Sequence, residues 1–407
     1  MKKVPNLRFK EFSGEWESRP LSELGIFFKG GGLSKADLSD EGSPCVLYGE
    51  LYTKYTEVIG NVQSKTNVVL DNAVLGKVND VLIPSSGETA IDIATASCLQ
   101  QDDVILGGDL NVFRSNKING IFTSYQLNTS KKFEISKLAQ GASVVHVYND
   151  QLKKLRLSIP TIQEQEKIAA FFSLIDKKIE LQTEKVEELK NYKKGFMQKI
   201  FPRKGELVPE LRFVGFTNDW EECKLEKVTK LITKGTTPKD KSWIGPVNYI
   251  KTESIDKDSG SLTRTASTSL EEHEGYLKRS QLQNNDVLFS IVGTLGRVGL
   301  VGLKDLPANT NQQIAIIRTD ELNPYFLMNI LKSPKVKSFI ESDSTVGAQP
   351  SLSLWQINEL KICVPSIAEQ QKIGHYFFNL DKLITLHQCK LDALNEYKKG
   401  LLQQMFI

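Results

Sequence analysis

No stretch of this 407-residue chain reaches the run of about 18 apolar residues that a membrane-spanning helix requires. The opening MKKVPNLRFKEF is basic but has no apolar run behind it, which does not fit a secretory signal. Cysteine is scarce: Cys45, Cys98, Cys223, Cys363 and Cys389 are odd in number, scattered, and form no CxxC pair. That excludes a disulfide framework or a zinc ribbon and points to reduced thiols in a cytoplasmic protein. Histidine is scarcer still. His146, His273, His375 and His387 stand alone, with no HExxH. GTLGRVG (293–299) lacks the GK[ST] of a P-loop and is not the GxGxxG of a dinucleotide site. NPYF (323–326) lacks the second proline of the (N/D)PP(Y/F) motif that holds a flipped base in amino-methyltransferases, and reads as a helix start. An excess of one charge is missing too. The net charge is +3, and residues 1–158 carry 18 basic against 18 acidic side chains. A nucleic-acid binder of this composition must place its basic groups on one face, or borrow attraction from a partner.

What the chain does have is length and repetition. A single core rarely grows beyond roughly 250–300 residues, so more than one domain is expected. Residues 159–201 align without gaps on 364–406, with 19 of 43 positions identical. The shared residues include Pro160/Pro365, Glu164/Glu369, Gln165/Gln370, Asp176/Asp381 and the run YKKG at 192–195 and 397–400. Upstream, VPNLRFKEFSGEW (4–16) is echoed by VPELRFVGFTNDW (208–220), and NDVLI (79–83) by NDVLF (285–289). A period near 205 residues is far too long for a solenoid. It marks duplication of a whole domain plus a helix. The stretches at about 20–155 and 225–360 agree only at scattered points, so a duplicated frame carries two heads that differ.

The repeated segment is a helix. It has strong helix formers throughout and no internal proline, and Pro160 stands one turn before it. Its apolar residues step by four and three: Ile168, Phe172, Ile175, Ile179, Val186, Leu189, Phe196, Ile200. The second copy reads Ile373, Phe377, Leu380, Ile384, Leu391, Leu394, Leu401, Met405. This is a heptad seam, with polar gaps at Gln182 and Lys193 and at the equivalent His387 and Lys398. A helix of about 37 residues spans roughly 55 Å at ~1.5 Å per residue, and a narrow seam needs a partner. The economical partner is the other copy, in an antiparallel coiled coil with a pseudo-two-fold axis. The expected register sets Val186 on Leu394, Leu189 on Leu391, Gln182 on Lys398 and Lys193 on His387.

Between the helices lie short β-rich runs: DVLIP, DVILG, LNVFR, DVLFSIVG, GLVGL and QIAIIR. NPYFLMNILKS (323–333) reads as a helix with Asn323 as N-cap and Pro324 in the first turn. Each head is therefore expected to be a mixed α/β (α+β) domain. The boundaries fall at 1–158 (head 1), 159–203 (spacer helix 1), 204–363 (head 2) and 364–407 (spacer helix 2). Two Gly-rich loops, FFKGGGLSK (27–35) and ITKGTTPKDK (232–241), occupy corresponding places, and a third is GTLGRVGLV (293–301), with PSSGETAID (84–92) as its counterpart. Backbone N–H groups, hydroxyls and lysines suit phosphate and base-edge contacts. The candidate DNA-side residues are Lys29, Lys35, Ser85, Ser86, Lys234, Thr236, Thr237, Lys239, Thr294 and Arg297. No catalytic and no metal-ligating set is visible.

The order of head, EQxKI helix ending in YKKG, second head and second such helix resembles the DNA specificity subunit of type I restriction–modification systems. So do the PxLRF entries, NDVLFSIVGTLGRVG and GAQPSLSLWQINELKICVP (347–365). The resemblance covers almost the whole chain. It implies that each head is a target recognition domain reading one half of a bipartite site in double-stranded DNA. It implies an antiparallel coiled-coil spacer and no catalysis in this chain. Two modification subunits methylating adenine N6 with S-adenosylmethionine, and restriction subunits using ATP and Mg, are the implied partners. The alternative is a coiled-coil scaffold that binds no DNA, which offers no reason for two divergent heads in a duplicated frame.

Overall fold

The two PxLRF entries and the two EQxKI helix starts, about 155 residues apart in sequence, meet in space. In the computed structural model the described residues are 4–69, 72–141, 144–203, 205–345, 347 and 349–407. Met1–Lys3 of the basic start, Ala142 and Ser143 of the GASVV loop and Ala348 of the GAQ loop lie outside them. The chain folds as two compact units, one of residues 1–183 with 390–407, the other of 184–389. Each unit holds one head, the start of one long helix and the end of the other. The long helices run unbroken over Ile162–Ile200 and Ile367–Met405.

In the first unit, Glu17–Pro20 pairs antiparallel with Arg156–Ile159, so the chain enters and leaves the head side by side. A five-stranded sheet follows the order Ile26–Lys29, Leu110–Arg114, Val81–Pro84, Ser97–Leu99, Val58–Ile59. A second sheet has the order Ser64–Thr66, Ser43–Val46, Val104–Leu106, Leu75–Gly76. Strand alternation sends Val81 and Ile83 into one core and Leu82 into another. The first of these cores also takes Phe122 and Tyr125 of the helix Gly120–Asn128, Phe172 of the first long helix, and Met405 and Phe406 of the second.

The second unit repeats the plan. Glu221–Lys224 pairs with Lys361–Val364, and the sheet order is Leu231–Lys234, Ile314–Arg318, Val287–Ser290, Val298–Leu300. Val287 and Phe289 face one core and Leu288 the other. A three-stranded sheet of Ser267–Thr268, Val247–Ile250 and Ala308–Thr310 completes the head. Asn323 caps the helix Pro324–Ile330, its side chain accepting from Phe326 N at 3.0 Å. The five cysteines are free, as the scattered spacing predicts.

The repeated residues prove to be the ones that tie each head to its helix. Arg8 of PNLRF donates from Nε and Nη2 to both oxygens of Glu164, each at 2.7 Å. Arg212 of PELRF does the same to Glu369, again at 2.7 Å. Both carboxylates are fully buried, where a planar guanidinium fork is the partner that best offsets desolvation. The next residue works equally. Gln165 Oε1 accepts from Asn119 N and Gln370 Oε1 from Asn323 N, both at 3.0 Å, and each amide donates back to Pro160 O or Pro365 O. The faint ND echo has a reason too. Asn79 and Asn285 adopt positive φ of 76° and 71°, and the following Asp80 and Asp286 receive bidentate bonds from Arg114 and Arg318.

Within each unit the two long helices run antiparallel, and every residue of the predicted seam is buried or half-buried. Phe172 packs on Phe406 with centroids 5.9 Å apart, and Phe196 on Phe377 at 5.6 Å. The expected partners of the seam lysines are not the observed ones. Lys398 Nζ lies 2.7 Å from Asp176 Oδ1 and 2.8 Å from Glu57 Oε2, and Lys193 pairs with Asp381. A buried ammonium requires a carboxylate, and the aspartate beside each seam supplies it. Burial raises Asp176 and Asp381 above the ordinary carboxylate range, against the pull of these lysines.

Candidate nucleic-acid interface

The two loops singled out after the first head strand are built alike. Gly30 N donates to Leu110 O at 3.0 Å, and Gly235 N to Ile314 O at 3.2 Å. A Cβ on Gly30 would stand 2.2 Å from Gly107 O, and one on Gly235 would stand 2.1 Å from Thr310 O. Glycine is needed at both because the neighbouring backbone comes so close. Lys29 and Lys234 end the strands before these glycines and are exposed. Lys35 is exposed at the start of a 3₁₀ turn, capped by Ser34 with Asp37.

In the second head, Thr236 N bonds Thr310 O at 2.9 Å, and its carbonyl accepts from Tyr249 OH at 2.9 Å. Burial pushes the Tyr249 hydroxyl pKa up. Thr237 is half-buried beside it and Lys239 is exposed. The structure brings a second segment to this loop that the sequence reading missed. Arg279 Nε donates to Thr236 Oγ1 at 3.1 Å, and Lys239 Nζ stands 4.7 Å from the centroid of the Tyr276 ring. Glu272 accepts from the backbone of Lys239 and Asp240. Lys251 Nζ sits 3.7 Å over Trp243, whose ring lies 5.4 Å from that of Tyr249. The result joins Lys239 to Tyr276 and Arg279 to Thr236, with Lys234, Lys241 and Lys278 exposed along the same two segments. None of these five cations is ion-paired among the described residues. The one available signal was GYLKRS, an aromatic and two bases in a short turn, some 40 residues from the Gly-rich loop.

The remaining candidates sit differently. Ser85 and Ser86 are buried at 3% and 4% exposure, and Ser86 Oγ is 3.0 Å from His146 Nδ1. Val147 N bonds Ser85 O at 3.1 Å, as Leu352 N bonds Ile291 O at 2.8 Å in the second head. The loops PSSGETAID and SIVGTLGR are thus spatial counterparts despite their different residues. Thr294 is exposed at a hairpin tip, its carbonyl accepting from Ser290 Oγ at 2.6 Å. Arg297 turns inward: its guanidinium donates to Thr252 O at 3.3 Å and Ile255 O at 3.0 Å. Polarity and glycine neighbours suggested a DNA contact for Ser85, Ser86 and Arg297, but the side of the head they face is a tertiary property. Among the described residues, no group of three or more His, Cys, Asp or Glu could hold a metal ion, and no helix is long and apolar enough to cross a membrane.

Comparison with known proteins agrees with this architecture. The specificity subunit of the type I restriction enzyme MjaVIII of Methanocaldococcus jannaschii is 22% identical over 418 residues, covering 97% of this chain and 94% of that protein. The EcoBI specificity subunit of Escherichia coli is 25% identical over 263 residues, covering 59% and 54%. Among solved structures, the S subunit of the type I restriction–modification system of M. genitalium matches with a TM-score of 0.66 at 18% identity, over 99% of both chains. A chain from a study of assembly and conformational transition in the type I system matches at 0.55 and 14% identity, over 96% of this chain and 97% of that one. Both show the same fold. The family model for the type I restriction modification DNA specificity domain matches twice, over residues 13–191 and 217–396, and the chain therefore belongs to that family.

Proposed function

We propose that this chain is the non-catalytic reader of a bipartite, asymmetric site in double-stranded DNA, one half read by each head. Partner subunits carry out adenine-N6 methylation and cleavage, and S-adenosylmethionine, ATP and Mg reside on them. The observation that carries this reading is the pairing of like and unlike. The strands and glycines that present Lys29 and Lys234 superimpose in their hydrogen bonding, while the side chains they present differ between heads. A common frame with divergent tips suits two half-sites of different sequence. Adenine chemistry needs the base flipped out of the stack, which suits a reader that positions a separate methylase.

Two copies of the modification subunit are the proposed stoichiometry. Gly195 and Gly400, the glycines of the two YKKG runs, lie inside the long helices, and a Cβ on either would meet nothing within 4 Å. Glycine there costs a helix roughly 1 kcal/mol against alanine, at two equivalent positions, which supports close approach of two like partners. The proposed compartment is the cytoplasm, where such a system meets DNA.

The test is to co-express the chain with its modification partner and map methylated adenines genome-wide. A single bipartite motif with an unread gap is the expected result. Methylation without such a motif, or none at all, overturns the reading.

A further inference from the structure

We propose that Tyr276 is a sequence-reading residue of the second head, its ring packing against bases while Lys239, Lys278 and Arg279 hold the flanking phosphates. This rests on the DNA-reading function proposed above. Three observations lead to it. First, the ring is 51% exposed on a turn that is otherwise anchored. Gly275 N bonds Glu271 O at 2.9 Å and Leu277 N bonds Glu272 O at 2.8 Å. Leu277 and Ser280 are fully buried, and Asn309 Nδ2 holds Leu277 O at 2.9 Å. The 3₁₀ turn over Lys278–Ser280 therefore sets Leu277 and Ser280, three residues apart, inward and leaves Tyr276, Lys278 and Arg279 outside. An aromatic ring presented rigidly loses little conformational entropy on binding.

Second, two cations from separate segments meet beside it, on a stretch that also carries Glu271, Glu272 and Glu274. Lys239 lies 4.7 Å from the ring centroid, and Arg279 is held to the Thr236 hydroxyl of the Gly-rich loop. Cations flanking an exposed aromatic are the combination that binds phosphates and stacks or wedges on bases. Duplex DNA, rather than an apolar protein surface, is the occupant that this charge favours. Third, GYLKRS has no copy in the first head, so whatever Tyr276 reads belongs to one half-site.

The experiment uses the full chain in complex with its modification partner, and a DNA library with both half-sites randomised. Tyr276→Ala should lower discrimination by about tenfold, the scale of one mismatched base pair, at one or two base positions of a single half-site, leaving the other half unchanged. Tyr276→Leu, which keeps apolar bulk without an aromatic face, should behave like Tyr276→Ala, and Tyr276→Phe should keep the parent motif. Because the ring is exposed, melting temperatures should stay within about 2 °C of the parent. An unchanged motif for Tyr276→Ala overturns the assignment, as does an equal loss of rate on every sequence. If the parent complex itself shows no bipartite preference, the DNA-reading function fails instead, which separates the two outcomes.

Discussion

Replacing Arg212 by methionine should leave a buried carboxylate of the second unit without its cation. Arg212 closes two bonds of 2.7 Å on Glu369, a residue with 0% exposure at the start of the second long helix. The substitution leaves a carboxylate buried without its cation, which costs about 3–5 kcal/mol. For a unit of this size each kcal/mol lowers the melting temperature by about 2–4 °C, so a drop of about 6–20 °C is expected. Hydrogen-exchange mass spectrometry localises the effect. Peptides over residues 367–377 should exchange faster by about two to four decades, one decade per about 1.4 kcal/mol. Peptides over 162–172, which carry the intact Arg8–Glu164 pair, serve as the internal standard. The double variant Arg212→Met/Glu369→Leu removes both charges and should regain most of the loss, because the cost lies in the orphaned charge rather than in the missing attraction. A single variant destabilised by less than about 1 kcal/mol, or a double variant no better than the single, would refute the reasoning.

A pH-dependent test comes from Lys332, which burial and Lys193 push down to about 8 against the pull of Asp381, Asp256 and Asp258. Below pH 8 the amine is charged in both folded and unfolded chains, and burying that charge costs up to about 3 kcal/mol. Between about 8 and the ordinary 10.5 the unfolded chain binds more protons, so parent stability climbs with pH. Lys332→Met should thus be more stable than the parent at pH 7, and the advantage should shrink towards pH 10.5 in urea titrations; a gap flat with pH contradicts this. The two kinds of glycine should respond with opposite sign. Gly235→Ala forces a Cβ to 2.1 Å from Thr310 O and should cost at least about 2 kcal/mol by calorimetry, whereas Gly195→Ala and Gly400→Ala should each add about 0.5–1 kcal/mol. Those same helix alanines should weaken pull-down of the modification partner, and undiminished capture would count against close approach at the YKKG runs. On the DNA side, Lys239→Gln with Lys278→Gln should flatten the slope of log affinity against log salt by about 2, measured by anisotropy with the complex; an unchanged slope takes both lysines off the phosphates.

How much of this was legible in the sequence differs by element. The heptad seam was, because its signal is local: Ile168, Phe172 and Ile175 repeat every three or four residues whatever lies opposite. The pairing across the seam was not. Polar gaps matched to polar gaps gave Gln182 for Lys398 and His387 for Lys193, but desolvated ammonium groups take carboxylates, and Asp176 and Asp381 stood one residue off the apolar stripe. The identity of Arg8 and Arg212, or of Glu164 and Glu369, was visible as repetition; that each arginine grips its glutamate was not, since nothing in a separation of 156 or 157 residues encodes contact. The candidate interface divides in the same way. Glycines near lysines marked the loops at Lys29 and Lys234 correctly as exposed. Ser85, Ser86 and Arg297 carried equal polarity, yet the two serines are buried, Ser86 against His146, and Arg297 donates to two backbone carbonyls.

Taken by itself, the sequence determined the architecture: a duplicated frame, two mixed α/β heads that differ, two long amphipathic helices, and membership of a family that reads DNA. Those are properties of periodicity, repetition and turn chemistry, which act over a few residues and survive any arrangement of the rest. Tertiary structure alone decided which charges are buried with which, which polar loops point outward, and that Tyr276 and Arg279 join Lys239 and Thr236. The reason is that burial and charge pairing are set by groups distant in the chain, and only the folded backbone brings them within a few ångströms of each other.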